Sequence, residues 1–118
     1  MLDFACKQFD LKEILRCSLN LTKAEFKVLE FFLNHKVKKY NSNEISKSMN
    51  LDLTTIQKSL KKLYDKKIII RSQKNSAKGG YIYYYEIENK ETISKTILRT
   101  INNWINKVEI EINIWKTK

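Results

Sequence analysis

The stretch Asn43-Glu44-Ile45-Ser46-Lys47-Ser48-Met49-Asn50-Leu51-Asp52-Leu53-Thr54-Thr55-Ile56-Gln57-Lys58-Ser59-Leu60-Lys61-Lys62-Leu63 decides the fold. Ile45 and Met49 stand four apart with the small Ser46 beside them, which predicts a helix over about residues 43–49, capped by Ser42. Asn50 follows, the residue other than glycine that best tolerates a left-handed backbone, so a tight turn is expected there. Leu51 can pack beneath that turn and Asp52 can cap a second helix over residues 53–66. In it Leu53, Ile56, Leu60 and Leu63 form one apolar stripe, and the opposite face carries Thr54, Thr55, Gln57, Lys58, Lys61 and Lys62.

Working outward, Leu11, Ile14, Leu15 and Leu19 recur at helical spacing and predict a short first helix. Thr22-Lys23-Ala24-Glu25 is a capping box, and the Phe26, Leu29, Phe32 and Leu33 that follow predict a second helix that ends near Asn34 and His35. Residues 37–41, with Tyr40, allow a small strand. Beyond Lys67 the period shortens: residues 68–72 and 81–87 are β-branched or aromatic and predict two strands, joined by a polar loop over residues 73–80 that holds both glycines, Gly79 and Gly80. A long helix from about residue 89 closes the chain, with Ile93, Ile97, Ile101, Trp104, Val108, Ile112 and Trp115 on one stripe.

The 118 residues carry a formal charge of +10, and the excess is concentrated. Residues 53–80 hold Lys58, Lys61, Lys62, Lys66, Lys67, Arg71, Lys74 and Lys78 against Asp65 alone. A patch of this kind attracts polyanions, and phosphate backbones are the commonest of them. The competing reading is a solvated lysine surface.

A short helix, a tight turn and a second helix with a polar, cationic outer face is a helix-turn-helix, and the basic hairpin after it makes the unit winged. The fold class expected is therefore mainly α with a small β-hairpin, a winged helix-turn-helix with an added N-terminal helix and a long C-terminal helix. Thr54, Thr55, Gln57 and Lys58 lie in the first turns of the second helix, within reach of base edges or the nearest phosphates, and the amide of Gln57 suits adenine. Lys61, Lys62, Lys66 and the wing lysines Lys74 and Lys78 suit phosphates.

These residues reach a resemblance. Leu21-Thr22-Lys23-Ala24-Glu25 with Val28-Leu29, Asn43-Glu44-Ile45-Ser46, the run from Thr54-Thr55-Ile56-Gln57 through Leu63, Lys67-Ile68-Ile69-Ile70-Arg71, and Gly79-Gly80-Tyr81-Ile82-Tyr83-Tyr84-Tyr85 together resemble the winged-helix domains of TrmB-like and MarR-like prokaryotic regulators, small archaeal members above all. The order and spacing of these motifs carry the likeness, since each alone is degenerate. The resemblance implies a dimeric, double-stranded DNA-binding transcriptional regulator that reads the major groove with residues 53–66. Asn50 stands where the family has a turn glycine, and nothing in the sequence corresponds to the separate sugar-binding domain of full-length TrmB proteins. No effector is implied.

Residues 1–88 are expected to form the winged domain with its N-terminal helix, and residues 89–118 a dimerisation element through Ile97, Ile101, Trp104, Val108, Ile112 and Trp115. The alternative fate of that stripe is packing on the chain's own first helix. A dimer would present two reading helices roughly 34 Å apart.

Other functions fit less well. A winged helix can serve as a protein-docking module without binding DNA, which remains the alternative. The tyrosines at 81, 83, 84 and 85 suggest a stacking platform for single strands, but alternation puts Tyr81, Tyr83 and Tyr85 on one face and Ile82 with Tyr84 on the other, which simply clothes both sides of a ribbon. With one histidine, His35, and no glycine-rich phosphate loop, no catalytic residue and no cofactor are assigned, and an enzyme is not expected. Cys6 and Cys17 lack the companions of a metal site and are expected to be buried or idle thiols. The apolar runs are far shorter than the ~20 residues of a membrane span, and the N-terminus does not resemble a secretory signal, so the expected location is the cytoplasm.

Overall fold

A computed structural model of the protein describes residues 1–35 and 38–118. The elements are β1 (Leu2–Phe4), β2 (Lys7–Phe9), α1 (Leu11–Ser18), α2 (Lys23–Asn34), α3 (Ser42–Met49), α4 (Leu53–Asp65), β3 (Ile69–Asn75), β4 (Tyr81–Ile87) and α5 (Lys90–Lys116). The expected class, mainly α with a wing, is the one found. Two compact units appear: Leu21–Lys90, and Met1–Asn20 with Glu91–Lys118. The first twenty residues thus group with the terminal helix.

In the Leu21–Lys90 unit the helix ends follow capping chemistry. The Thr22 hydroxyl accepts from the Glu25 amide at 3.2 Å, and the Glu25 carboxylate accepts from the Thr22 amide at 2.8 Å. Helix α3 repeats the device one residue earlier than expected: its cap is Asn41, which exchanges the same pair of bonds with Glu44. Asn41 wins over Ser42 because only Asn41 has a glutamate three residues on to return the bond. Asp52 caps α4, accepting from the Thr55 amide at 3.0 Å.

The turn between α3 and α4 is closed by one side chain. Asn50 takes the left-handed conformation, with φ 55° and ψ 42°, and the Leu51 amide donates back to the Ser46 carbonyl. The Ser46 hydroxyl then donates to the Leu51 carbonyl at 2.5 Å, so the same two residues are bonded in both directions. A larger side chain at 46 would hold the two helices apart.

The core joins α2, α3, α4 and the start of β3: Val28, Leu29, Phe32, Ile45, Ile56, Leu60, Leu63, Ile68 and Ile69 are buried. Leu53, expected in this stripe, is 37 % exposed because the first turn of α4 extends past the packed surface. Met49 and Leu51 are half-buried. Burial of each fully covered aliphatic side chain contributes about 1.5–3 kcal/mol, so Ile56, Leu60 and Leu63 are sufficient to fix which side of α4 faces inward.

Strands β3 and β4 pair antiparallel, with Ile69 opposite Ile87 and Asn75 opposite Tyr81. The loop is therefore shorter than the expected residues 73–80, because Gln73, Lys74 and Asn75 continue the ladder. Gly79 and Gly80 have φ of 88° and 79°, which explains why glycines stand there, since a side chain at either would meet no neighbour. Tyr40 bridges to Tyr85 through two backbone bonds of 2.9 and 2.8 Å, adding a third edge to the wing. The small strand expected over residues 37–41 lies partly outside the described residues. His35 caps α2, as expected of a helix-end residue, and its ring stacks on Phe31 with Nδ1 2.7 Å from the Phe31 carbonyl.

In the other unit, β1 pairs with β2 through a turn at Ala5, whose φ is 50°. This hairpin has no signal in the sequence, since Ala5-Cys6 contains none of the usual turn residues. Helix α1 begins after the Asp10 cap, and Leu11 is exposed while Leu19 is buried. Cys6 and Cys17 are both free and both exposed, not buried. No residue of α5 is buried. No helix among the described residues is long and apolar enough to cross a membrane.

Helix α2 is tied to α4 by Lys62, whose ammonium donates to the Glu25 carboxylate at 2.7 Å. Burial works against ionisation of Glu25, but the Lys62 hydrogen bond, the Thr22 amide and the Lys62 charge outweigh it and hold the carboxyl below its ordinary value of 4.5. A carboxyl whose value is lowered by folding stabilises the fold above its unfolded value and loses that contribution as pH falls through the folded one. Wild-type stability is thus expected to decline below pH 4.5. In Glu25→Gln, about 1 kcal/mol less stable near neutrality, that decline should be shallower, as read by denaturant titrations across pH. Ser46→Ala leaves the Leu51 carbonyl without its partner and is expected to cost about 1–2 kcal/mol in thermal unfolding.

Candidate nucleic-acid interface

The outer face of α4 is built by what its inner face excludes. With Ile56, Leu60 and Leu63 inside, Thr54, Gln57, Lys58 and Lys61 are exposed. Three and four residues apart, they form one ridge along the helix. Lys58 and Lys61 lie beside a shallow groove of about 330 Å³ that also touches Lys62, Lys66, Glu25 and Asp65.

Two residues of the expected contact set are committed elsewhere. The Thr55 hydroxyl donates to Asp52 at 2.5 Å, and that bond, with the one from the Thr55 amide, holds the Asp52 carboxyl below its ordinary value. Thr55 therefore secures the start of α4. Lys62 is half-buried in the ion pair with Glu25. The sequence could not distinguish Lys62 from Lys61 because its partner lies 37 residues away.

Lys66 is half-buried at the C-cap of α4, where Lys67 turns the chain with a φ of 64°. On the wing, Lys74 stands on β3 with its ammonium 5.3 Å from the Tyr84 ring centre, and Lys78 is exposed at the tip. Thr54, Gln57, Lys58, Lys61, Lys66, Lys74 and Lys78 thus all belong to the Leu21–Lys90 unit, on α4, at its C-cap or on the hairpin that follows it.

A residue outside the expected set has the most definite surroundings. The Arg71 guanidinium lies 4.4 Å from the ring centres of both Tyr64, at the end of α4, and Tyr83, on β4. A signal for half of this existed. Arg71 pairs with Tyr85, so Tyr83 is its diagonal neighbour on the same face of the ribbon. Tyr64 lies three residues beyond Lys61, at the end of the exposed ridge.

In the Met1–Asn20 and Glu91–Lys118 unit, the expected dimerisation residues are unevenly covered. Ile97, Ile101 and Val108 are half-buried, whereas Trp104, Ile112 and Trp115 are exposed, Trp115 by 73 %. Leu2, Phe4, Phe9, Ile14, Ile101 and Trp104 line an open, largely apolar groove of about 500 Å³. A second groove of about 430 Å³ runs along Trp104, Val108, Ile112 and Trp115. Among the described residues no His, Cys, Asp or Glu cluster suits a metal ion.

Fold and surface together define a winged helix-turn-helix with a cationic ridge on the second helix of the pair. Residues 10–108 match the family model of the DnaD N-terminal domain, and the chain belongs to that family. A solved structure described as a possible transcriptional regulator from Methanosarcina mazei Go1 is 41 % identical and superposes with a TM-score of 0.89, covering 98 % of this chain and 96 % of that one. An uncharacterized protein of Methanocaldococcus jannaschii is 28 % identical over 118 residues, 94 % of this chain and 88 % of its own length. At 15 % identity, S. aureus MepR, solved in complex with DNA, shares the fold with a TM-score of 0.54 over 89 % of this chain and 84 % of that one. The winged-helix class read from the sequence is thus found, and the DnaD N-terminal domain family is a membership the sequence reading did not reach.

Proposed function

We propose that this protein is a homodimeric, sequence-selective binder of double-stranded DNA, a cytoplasmic transcriptional regulator of the MarR-like or TrmB-like kind and not an enzyme. The observation that carries the reading is the outward ridge of Thr54, Gln57, Lys58 and Lys61 on a helix whose other side buries Ile56, Leu60 and Leu63. In this reading α4 enters the major groove, with Gln57 and Thr54 addressing base edges and Lys58 and Lys61 the adjoining phosphates. Lys66, Lys74 and Lys78 add backbone contacts at the end of α4 and on the wing. Thr55 and Lys62 act one step back, by securing α4 in place. The related Methanosarcina mazei protein, described as a possible regulator, and the MepR complex with DNA support the same reading.

The stripe of Ile97, Ile101, Trp104, Val108, Ile112 and Trp115 is the surface we assign to the second copy, so that the two ridges meet successive major grooves of a near-palindromic site.

Selection of bound fragments from random duplex DNA, followed by titrations at several salt concentrations, tests this function. A palindromic site is expected. The Lys58→Ala, Lys61→Ala double variant should bind it at least roughly tenfold more weakly, with a salt dependence shallower by about two. Gln57→Ala should relax the preference at one base position by about 1–3 kcal/mol. Absence of duplex binding at low salt refutes the reading and favours a protein-docking role.

A further inference from the structure

Arg71 is the one cation among the described residues that lies over two aromatic rings. Those rings belong to different elements, Tyr64 to α4 and Tyr83 to β4, while Arg71 itself is on β3. All three side chains are at the surface. The guanidinium is planar and carries its five N–H donors around its edge, so contact with ring faces leaves hydrogen-bonding capacity in place. No carboxylate pairs with it among the described residues.

An exposed arginine ordinarily surrenders rotamer freedom when it grips an anion. Here the two rings have already restricted the side chain, a few residues beyond Lys66 and Lys67, where α4 gives way to the wing. A fork of donors held ready at that junction suits a phosphate oxygen pair.

We propose that Arg71 is a phosphate-binding residue of the duplex interface, held in its binding conformation by Tyr64 and Tyr83, and that the same contact sets the wing against the end of α4. It rests on the DNA-binding function proposed above. A lysine at 71 would keep the charge but lose the planar contact with both rings.

Duplex affinity at fixed salt, its salt dependence and the far-ultraviolet melting curve are to be measured for Arg71→Ala, Arg71→Lys, Tyr64→Phe and the double variant Tyr64→Leu, Tyr83→Leu. Arg71→Ala is expected to bind roughly tenfold more weakly with a salt slope shallower by about one. Arg71→Lys and the leucine pair should each lose several-fold in affinity while the slope is unchanged, and Tyr64→Phe, which keeps the ring, should match wild type. Wild-type affinity in Arg71→Lys would overturn the role of the rings, and it decides the matter even where Arg71→Ala melts early. Wild-type affinity and slope in Arg71→Ala would remove the phosphate contact altogether. If wild-type protein binds and the Lys58, Lys61 variant does not, while all Arg71 variants do, this inference alone falls. If wild-type protein binds no duplex, both fall.

Discussion

Helix α4 has a single apolar side, and the burial of that side is the constraint on which the rest of the winged unit depends. Ile56, Leu60 and Leu63 face α2 and α3, so rotation of α4 about its axis would bring charged side chains inward and expose aliphatic ones. Exposing even one of the three would cost about 1.5–3 kcal/mol, a large share of the 5–15 kcal/mol that typically separates a folded domain from its unfolded chain. The direction in which Gln57, Lys58 and Lys61 point is therefore a consequence of hydrophobic burial and needs no contact of their own.

Polar groups then fix the position of α4 along its axis and its angle. Asp52 and Thr55 hold its start, Ser46 and Leu51 hold the turn that leads into it, and Glu25 holds its last turns through Lys62. The Glu25 carboxylate oxygen that caps α2 also receives the Lys62 ammonium. One atom thereby links the beginning of α2 to the end of α4. That economy explains why a lysine in the middle of a cationic patch is the one held at an acid, and why counting charges along the sequence overstates the cations available for an anionic partner.

What was legible in the sequence was local. The capping pair Thr22 and Glu25, the left-handed Asn50, the Asp52 cap and the paired glycines of the wing are read over four residues or fewer, and each is where it was expected. What escaped depends on distance or on a competition between neighbours. Asn41 displaces Ser42 as a cap because Glu44 answers it, the ladder continues through Asn75 because Tyr81 is its partner, and Lys62 finds Glu25 only after α2 and α4 have packed. The grouping of residues 1–20 with the terminal helix was illegible for the same reason. Periodicity identifies α1 as a helix but carries no information about the element it lies with.

Helix α5 presents the opposite problem from α4. Its 27 residues would span roughly 40 Å, yet none is buried, and beyond Ile101 only Val108 is even half-covered. Intrinsic preference does not account for such a helix: isoleucine, asparagine, valine and tryptophan, which take all of residues 101–115 except Lys107, Glu109 and Glu111, are middling helix formers. Most helices in proteins are stabilised by burial of an apolar side, and this one has the side without the burial. On the proposed reading the second copy supplies the cover: pairing of Trp104, Ile112 and Trp115 with their counterparts removes from water the aromatic and aliphatic area that a single α5 leaves exposed, and it is that burial, not intrinsic preference, that would hold the last turns helical.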